Sequence, residues 1–480
     1  MTTRIQSICI LGVLCSLVLF SCRKDSFTTS GNLDFSRDTV MFDTVFTTIG
    51  SATRSFKVYN RQNDYIRISS VYLAGGETSK FRMNIDGMSG RSFSDIEIAP
   101  NDSIWGFVEV TLDPNNLNTP LVVTDSIVFE TNGNLQDIDL VAFGQDAYFH
   151  FPGPSDSTIV FNLNCDEHWY NDKPHVIYGF AQVKKGCSLT MDPGTRVYIH
   201  RYSGIVINEG SLFINGTKSD SVTIQGDRLE LDYRNLPGQW EFIRILKPAA
   251  TSIDHAIIKN ANIGIVADTF SVNGPGYEVF IRNTQILNMA AIGFFGRGSK
   301  VLLENCVFAN AGQSAAAFAY GGTYRANNCT FANYYSYGTR NSPCVVLNNY
   351  FKDANETVFA RNLDEATFQN CLIYGNNPSE LEFDEDNGAT FNFQFNHCLF
   401  KVKDEFDVSD PLKFSNVLKN PAGDSLFIDY SNNNYHLRAS SAARNRGSLD
   451  FLTPQTQNDL DGNSRTLDGL PDLGAYEFKE

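Results

Sequence analysis

The sequence predicts an all-β protein in which an antiparallel β-sandwich precedes a parallel β-helix. Three observations carry this. A short motif returns every twenty-odd residues between His255 and Val402. Residues 40–145 alternate apolar and polar positions between Asn, Asp, Gly and Pro clusters. The composition, 12% aromatic and only 19% charged, is that of a folded, strand-rich chain.

In order along the chain, residues 1–21 read as a signal peptide. Arg4 supplies a small positive region and Ile8 to Phe20 an apolar run too short to span a bilayer comfortably. The run ends in Leu19-Phe20-Ser21-Cys22, which resembles a bacterial lipobox and implies acylation of Cys22. Arg23-Lys24-Asp25 then resembles the signal that sends lipoproteins of Bacteroidota-type bacteria to the outer face of the outer membrane. The implied location is the cell outer membrane, lipid-anchored and surface-exposed, with two or more acyl chains holding stably. Residues 22–36 are polar and Gly/Ser-containing and are expected to be a tether.

The sandwich is expected over 37–147. Met41-Phe42-Asp43-Thr44-Val45-Phe46, Ile104-Trp105-Gly106-Phe107-Val108 and Ser126-Ile127-Val128-Phe129 alternate with period two. The layout resembles the Ig-like modules found ahead of β-helices in surface lipoproteins, though it lacks a Cys–Trp–Cys signature. No chemistry is visible there, and a spacer role is expected.

The β-helix is expected over 148–420. Its repeat reads His255-Ala-Ile-Ile-Lys-Asn260, Asn283-Thr-Gln-Ile-Leu-Asn288, Asn305-Cys-Val-Phe-Ala-Asn310, Asn328-Cys-Thr-Phe-Ala-Asn333, Asn348-Asn-Tyr-Phe-Lys-Asp353, Asn370-Cys-Leu-Ile-Tyr-Gly375 and His397-Cys-Leu-Phe-Lys-Val402. The first positions lie 28, 22, 23, 20, 22 and 27 residues apart. Units this short cannot bury a face alone, so they stack. Asn283, Asn305, Asn328, Asn348 and Asn370 are expected to share one bend as an amide ladder. Cys306, Cys329, Cys371 and Cys398 form a buried row beside them. The longer spacings place loops at 269–278 and 375–390 on one side of a rod of about ten rungs, about 4.8 Å apart.

Cys9 and Cys15 leave with the signal, so seven thiols remain besides Cys22. An odd number cannot all pair. Cys165 with Cys187 is the candidate disulfide.

The tail, 421–480, carries Asp459-Leu-Asp-Gly-Asn-Ser-Arg465 and Asp472-Leu-Gly-Ala-Tyr-Glu477. These words closely resemble the end of bacterial right-handed parallel β-helix proteins of the choice-of-anchor Q type, and with the rung pattern the resemblance covers residues 165–478. Solenoids must hide their open end, so the tail is expected to cap the last rung.

The fold also hosts polysaccharide lyases and hydrolases. Their chemistry needs a base beside the sugar proton, often with a cation, or paired carboxylates. The Asn-Thr-Asp, Asp-Asp, Gly-His-Gly, Arg-Ile-Lys and Arg-x-Pro-x-x-Arg words of those enzymes do not occur. His255 and His397 occupy the Asn slot and read as turn residues. His150, His168, His175, His200 and His436 have no evident partner in sequence.

No cofactor and no metal site is expected. Ca²⁺ is the alternative at Glu380-Leu-Glu-Phe-Asp-Glu-Asp-Asn387, which otherwise reads as solvated charge on a loop. Gln457-x-Asp459-x-Asp461-Gly462 with Asp468 echoes an EF-hand but departs at its first and last ligands. Asp459 or Asp461 pairing with Arg465 is the better reading.

Tyr334-Tyr335-Ser-Tyr337, Trp169-Tyr170 and Tyr233 are candidates for sugar stacking. Six Asp-Ser/Thr-aliphatic triplets, led by Asp38, Asp43, Asp102, Asp125, Asp220 and Asp424, resemble an O-glycosylation sequon of exported Bacteroidota proteins. A net charge of −16 argues against nucleic acid. The expected partners are the membrane, through the lipid, and a polysaccharide or surface protein. The leading expectation is a cell-envelope β-helix protein that binds without catalysis. A lyase or hydrolase, and a purely structural protein, are the alternatives.

Overall fold

A computed structural model describes residues 26–114, 121–153, 158–268, 276–421 and 426–479. Cys22, the signal segment, Asp424 and residues 269–275 of the expected loop at 269–278 lie outside these. The chain divides into two units, up to Asp146 and from Ala147 onward.

In the first unit, alternation resolves into two five-stranded sheets. Val40, Phe42, Phe56, Val58, Ile66, Ile68, Phe81, Met83, Val108, Ile127, Phe129 and Leu140 fill the space between them and are almost wholly hidden. The pairing is antiparallel except where Thr39–Phe46 runs parallel to Asn134–Gln145. The expected tether joins this sandwich from Ser26 on. Phe27 bridges to Tyr65, Asp34–Phe35 pairs with Val58 and Tyr59, and Leu33 is 5% exposed. Apolar side chains at 27, 33 and 35 give the segment a reason to dock that its polar neighbours conceal.

In the second unit, successive turns of chain stack in parallel. One sheet of 11 strands and one of 17 carry the stack, the larger holding two faces of each rung. Eleven stacked strands are ten steps of about 4.8 Å, a rod on the order of 50 Å. Inward columns are apolar: Ile205, Ile243, Ile265, Phe294, Ala316, Val345 and Leu381 lie in successive strands. The strand Ile243–Leu246 belongs to the second face of its rung and Ala250–Asp254 to the third. At the start of the rod, Trp169, His150 and His175 pack ring on ring, with His150 Nε2 2.9 Å from His175 Nδ1.

The bend that opens each rung explains the motif. Asn283, Asn305, Asn328 and Asn370 have φ of 46°, 54°, 51° and 52°, and His255 and His397 have 48° and 49°. This left-handed conformation strains most side chains, and Asn tolerates it best after Gly. The next position points inward, and Ala256, Thr284, Cys306, Cys329, Cys371 and Cys398 are all buried there.

Asn348 is not in this ladder. It ends the strand Val345–Asn348, and its rung continues through a hairpin, Tyr350–Lys352 with Val358–Ala360. Thr330–Asn333 pairs directly with Leu372–Gly375, so the bend passes from Asn328 to Asn370.

Cys165 and Cys187, 22 residues apart and hence one turn apart, form a disulfide with Cα atoms 4.7 Å apart. The five other described cysteines are free and buried.

The tail does not sit over the last rung. Leu437, Ala443, Leu473, Ala475 and Tyr476 pack against Val307, Ala309, Ala332, Leu372 and Leu399 on the outside of the first face. Its hydrogen bonds reach Asn305, Thr330 and Asn370, along the side of the rod. It is a lateral strap because the outward side of that face is itself apolar and must be covered.

The words at 459–477 form the clasp of this strap. Buried Arg465 donates to Glu477 at 2.7 Å and to Asn305 at 2.9 Å. Its ion-pair partner is therefore Glu477, whereas Asp459 accepts the amides of Asn463 and Glu477. Asp461 instead pairs with His436 at 2.7 Å.

Candidate functional site

Stacking makes residues one turn apart into neighbours, and the polar side chains use this. His168 meets Asp192 at 2.7 Å, 24 residues on. His200 meets Asp227 at 2.7 Å, 27 residues on. Arg282 donates to Glu304 at 2.7 Å, 22 residues on. His150, His168, His175 and His200, without evident partners in sequence, thus have them one period away, while His436 finds Asp461 within the strap. His255 bonds its own neighbour Asp254 at 2.7 Å, and the His397 ring packs on Phe451. Both sit in bends.

The second face carries a row of linked polar side chains. An outward row runs Asp268, Arg297, then Asn348 beside Asp384. Asp268 is buried and bridges two guanidiniums, Arg244 and Arg297, the latter at 2.6 Å. Further along, Asn348 donates to Asp384 at 2.9 Å and accepts the backbone N–H groups of Tyr320 and Tyr350. The Tyr350 hydroxyl donates to the other Asp384 oxygen at 2.9 Å. That bond to a carboxylate pushes the Tyr350 pKa up and keeps the phenol protonated.

Beside this network the hairpin raises two rings. Phe351 and Phe359 stack at 4.9 Å and 10°, each 42% exposed. Tyr320 meets Phe351 edge-on at 4.7 Å, and the Arg361 guanidinium lies 5.5 Å from the Tyr320 ring centre. Exposed rings beside fixed donors and acceptors are what a sugar face and its hydroxyls require.

The aromatic residues expected to stack sugars are elsewhere. Trp169 is 1% exposed, and Tyr334 stacks at 4.0 Å on Tyr430 of the strap. Tyr170 stacks on His168 and Tyr233 under Arg228. Tyr335 and Tyr337 line a small recess of about 50 Å³ with Asn288, Asn310 and Asn433.

The acidic run is not a solvated loop. Glu380 is wholly buried and accepts both terminal nitrogens of Arg340, at 2.6 and 2.8 Å, plus the amides of Cys344 and Asn377. Leu381–Asp384 is a strand of the second face. Among the described residues no group of three or more His, Cys, Asp and Glu is placed to hold a metal ion. At Asp43, Asp102 and Asp125 the carboxylate accepts the next residue's N–H, a local bond made just before a strand at Asp102 and within one at Asp43 and Asp125.

The family model described as "Right handed beta helix region" matches residues 243–400, and the rod is therefore a right-handed parallel β-helix. No curated protein matches.

Among solved structures, the catalytic domain of a GH87 alpha-1,3-glucanase in complex with nigerose is similar at 12% identity, covering 76% of this chain and 87% of that one, with a TM-score of 0.21. The catalytic unit of a thermostable GH87 alpha-1,3-glucanase from Streptomyces thermodiastaticus is 9% identical over 76% and 89%, with a TM-score of 0.22. A family 123 glycoside hydrolase from Clostridium perfringens is 10% identical with a TM-score of 0.18, and the match covers 29% of this chain and only 30% of that one. With scores of this size, the strand pairing itself carries the fold assignment.

Proposed function

We propose that this chain is a lipid-anchored cell-envelope β-helix protein that holds a glycan against its second face without cleaving it. The observation that carries the reading is the exposed Phe351–Phe359 stack beside the fixed Asn348–Asp384–Tyr350 network. Asp268 is occupied by two arginines and is unsuited to act as a base. Asp268 and Asp384 stand four rungs apart in their row, about 19 Å. Glycosidase carboxylates need about 5–9.5 Å.

One observation favours a second reading, a glycoside hydrolase. Glu382 and Asp384 point outward from one strand, about 6.6 Å apart between Cα atoms. Two carboxylates on one face are the groups that hydrolysis employs, and Glu382 is exposed with no partner among the described residues.

A glycan array with the purified protein tests the binding reading. Phe351→Ala with Phe359→Ala should weaken any hit about tenfold or more, since each ring contact contributes about 0.5–1.5 kcal/mol. Unchanged binding by the double variant would reject the hairpin as the site.

A further inference from the structure

The N-terminal sandwich carries a feature that a spacer does not need. On the strand Ser103–Val110, Trp105 and Phe107 face outward, 47% and 38% exposed, with rings inclined by 19° and centres 6.0 Å apart. Gly106 between them lies over Phe56 on the inner side, where a Cβ would come within 2.1 Å of that ring. The backbone is thus seated closely on the core while its neighbours present aromatic surface to water. Exposed aromatic pairs are costly to leave in water and are not required by the sandwich, whose core is complete without them.

The surroundings are polar and concave. Phe107 lines a cavity of about 670 Å³ with Thr53, Arg82, Asn84, Ser89 and Glu109. Sites for small ligands span about 300–1,000 Å³. The strand register puts Asn84 opposite Phe107 and Arg82 opposite Glu109. Asn84 donates to Ser89 at 3.0 Å, yet its Oδ1 is buried without any hydrogen-bond partner. Glu109 accepts from Thr53 at 2.6 Å. Arg82 has no ion-pair or hydrogen-bond partner among the described residues, although Glu109 is its cross-strand neighbour. Asn84 Oδ1 is thus a buried acceptor still lacking a partner, and near it the exposed Arg82 guanidinium is committed to no carboxylate.

We propose that this sandwich is itself a carbohydrate-binding module that takes a short uronate-bearing oligosaccharide on the sheet face carrying Trp105 and Phe107. The rings pack against the apolar face of a pyranose. Asn84 Oδ1 accepts from a sugar hydroxyl. The planar fork of Arg82 receives the uronate carboxylate, a geometry that matches it with two parallel hydrogen bonds. The overall charge of −16 does not forbid this, because exposed charges beyond about 8–10 Å are screened at physiological salt.

The chain holds three tryptophans, and Trp169 and Trp240 are buried, so Trp105 is the one open to a quencher in water. The test is iodide quenching of the full-length protein, titrated with trigalacturonate and with neutral galactotriose. Trigalacturonate should shield the exposed indole. Phe107→Ala should weaken it about tenfold or more, and Arg82→Gln should weaken trigalacturonate about tenfold while leaving galactotriose unchanged. The Phe351→Ala, Phe359→Ala double variant should leave the shielding intact, which separates this site from the one on the β-helix. Shielding by neither sugar, or shielding indifferent to Phe107→Ala in a variant with an unchanged melting temperature, overturns the proposal. Equal loss of both sugars in Arg82→Gln overturns the assignment to uronates.

Discussion

Asn370 and Ser448 exchange a reciprocal pair of hydrogen bonds: Asn370 Nδ2 donates to the Ser448 carbonyl at 3.0 Å, and the Ser448 N–H donates to Asn370 Oδ1 at 2.8 Å. One side chain therefore shapes the bend of a rung and fastens the strap across it. Asn305 does the same, donating to the Asn458 carbonyl at 2.8 Å while Arg465 donates to its Oδ1. Asn328 lies between them in the ladder with both amide atoms buried and unpartnered.

Asn370→Ala should therefore destabilise the protein by about 1–3 kcal/mol, through two part-buried backbone groups left without partners and through the strain of Ala at a φ of 52°. Asn328→Gly should be close to neutral, because no hydrogen bond is lost and Gly adopts its φ of 51° freely. Asn328→Leu should cost about 1–2 kcal/mol, through left-handed strain alone. Urea denaturation of the variants ranks them. A loss for Asn328→Gly as large as that for Asn370→Ala would show that Asn328 holds a bond after all.

The bends were legible because a rare backbone conformation selects a rare residue type, and the selection recurs once per turn. Asn348 misled for the same reason. The signal against it stood at the next position, where Asn349 replaces the small inward residue of the ladder. Asn349 is wholly buried and donates to the carbonyls of Asp386 and Ala389, shaping the start of the hairpin. The ion pairs were within reach too, since Arg244 and Asp268, or His168 and Asp192, are one period apart. Residues must be compared one turn ahead before such pairs emerge.

The strap had a subtler sign. Leu189-Thr-Met alternates, as a strand with one wet face does, whereas Val307-Phe308-Ala309 is apolar throughout, as a strand covered on both sides is. Phe351 and Phe359 were not readable as a platform, because nothing local marks a hairpin inserted into a rung.

The ring cluster at the start of the rod makes stability depend on pH. Burial holds His150 down to about 4 and His175 down to about 3, against an ordinary value of 6.5. Both are neutral in the folded state at pH 5 and would be largely protonated if unfolded. Their contribution is complete above pH 6.5 and is lost as pH falls toward 4 and then 3, by about 2 kcal/mol each at pH 5. Glu477, pushed up to about 7 by burial, has the opposite sign, its contribution falling as pH rises from 4.5 to 7. The comparison must therefore be differential. A His150→Phe, His175→Leu variant should lose less stability than the wild type between pH 6.5 and 5, measured by urea denaturation. Identical losses would reject the two histidines as the cause.

Acylation of Cys22 is the basis of the proposed anchoring. Metabolic labelling with a fatty-acid probe should mark the wild type and leave Cys22→Ala unmarked. Mature protein should begin at Cys22 by mass. Equal labelling of both would reject the anchor, and protease shaving of intact cells separates an outward from an inward placement.

The last expectation concerns catalysis. A lyase needs an unpaired base over a bound uronate. On the second face the Asp268 carboxylate is held by arginines, and the Tyr350 phenol is kept protonated by Asp384. Pectate, alginate and chondroitin should therefore yield no unsaturated, ultraviolet-absorbing product, with or without Ca²⁺. Hydrolysis must be followed by reducing-end release, because Glu382 and Asp384 present two carboxylates on the same face. Release abolished by Glu382→Gln, with glycan binding retained, would replace the binding reading by a hydrolase. Release absent in the wild type, together with binding lost in the Phe351→Ala, Phe359→Ala variant, would leave the second face as a surface that grips a glycan and does not cut it.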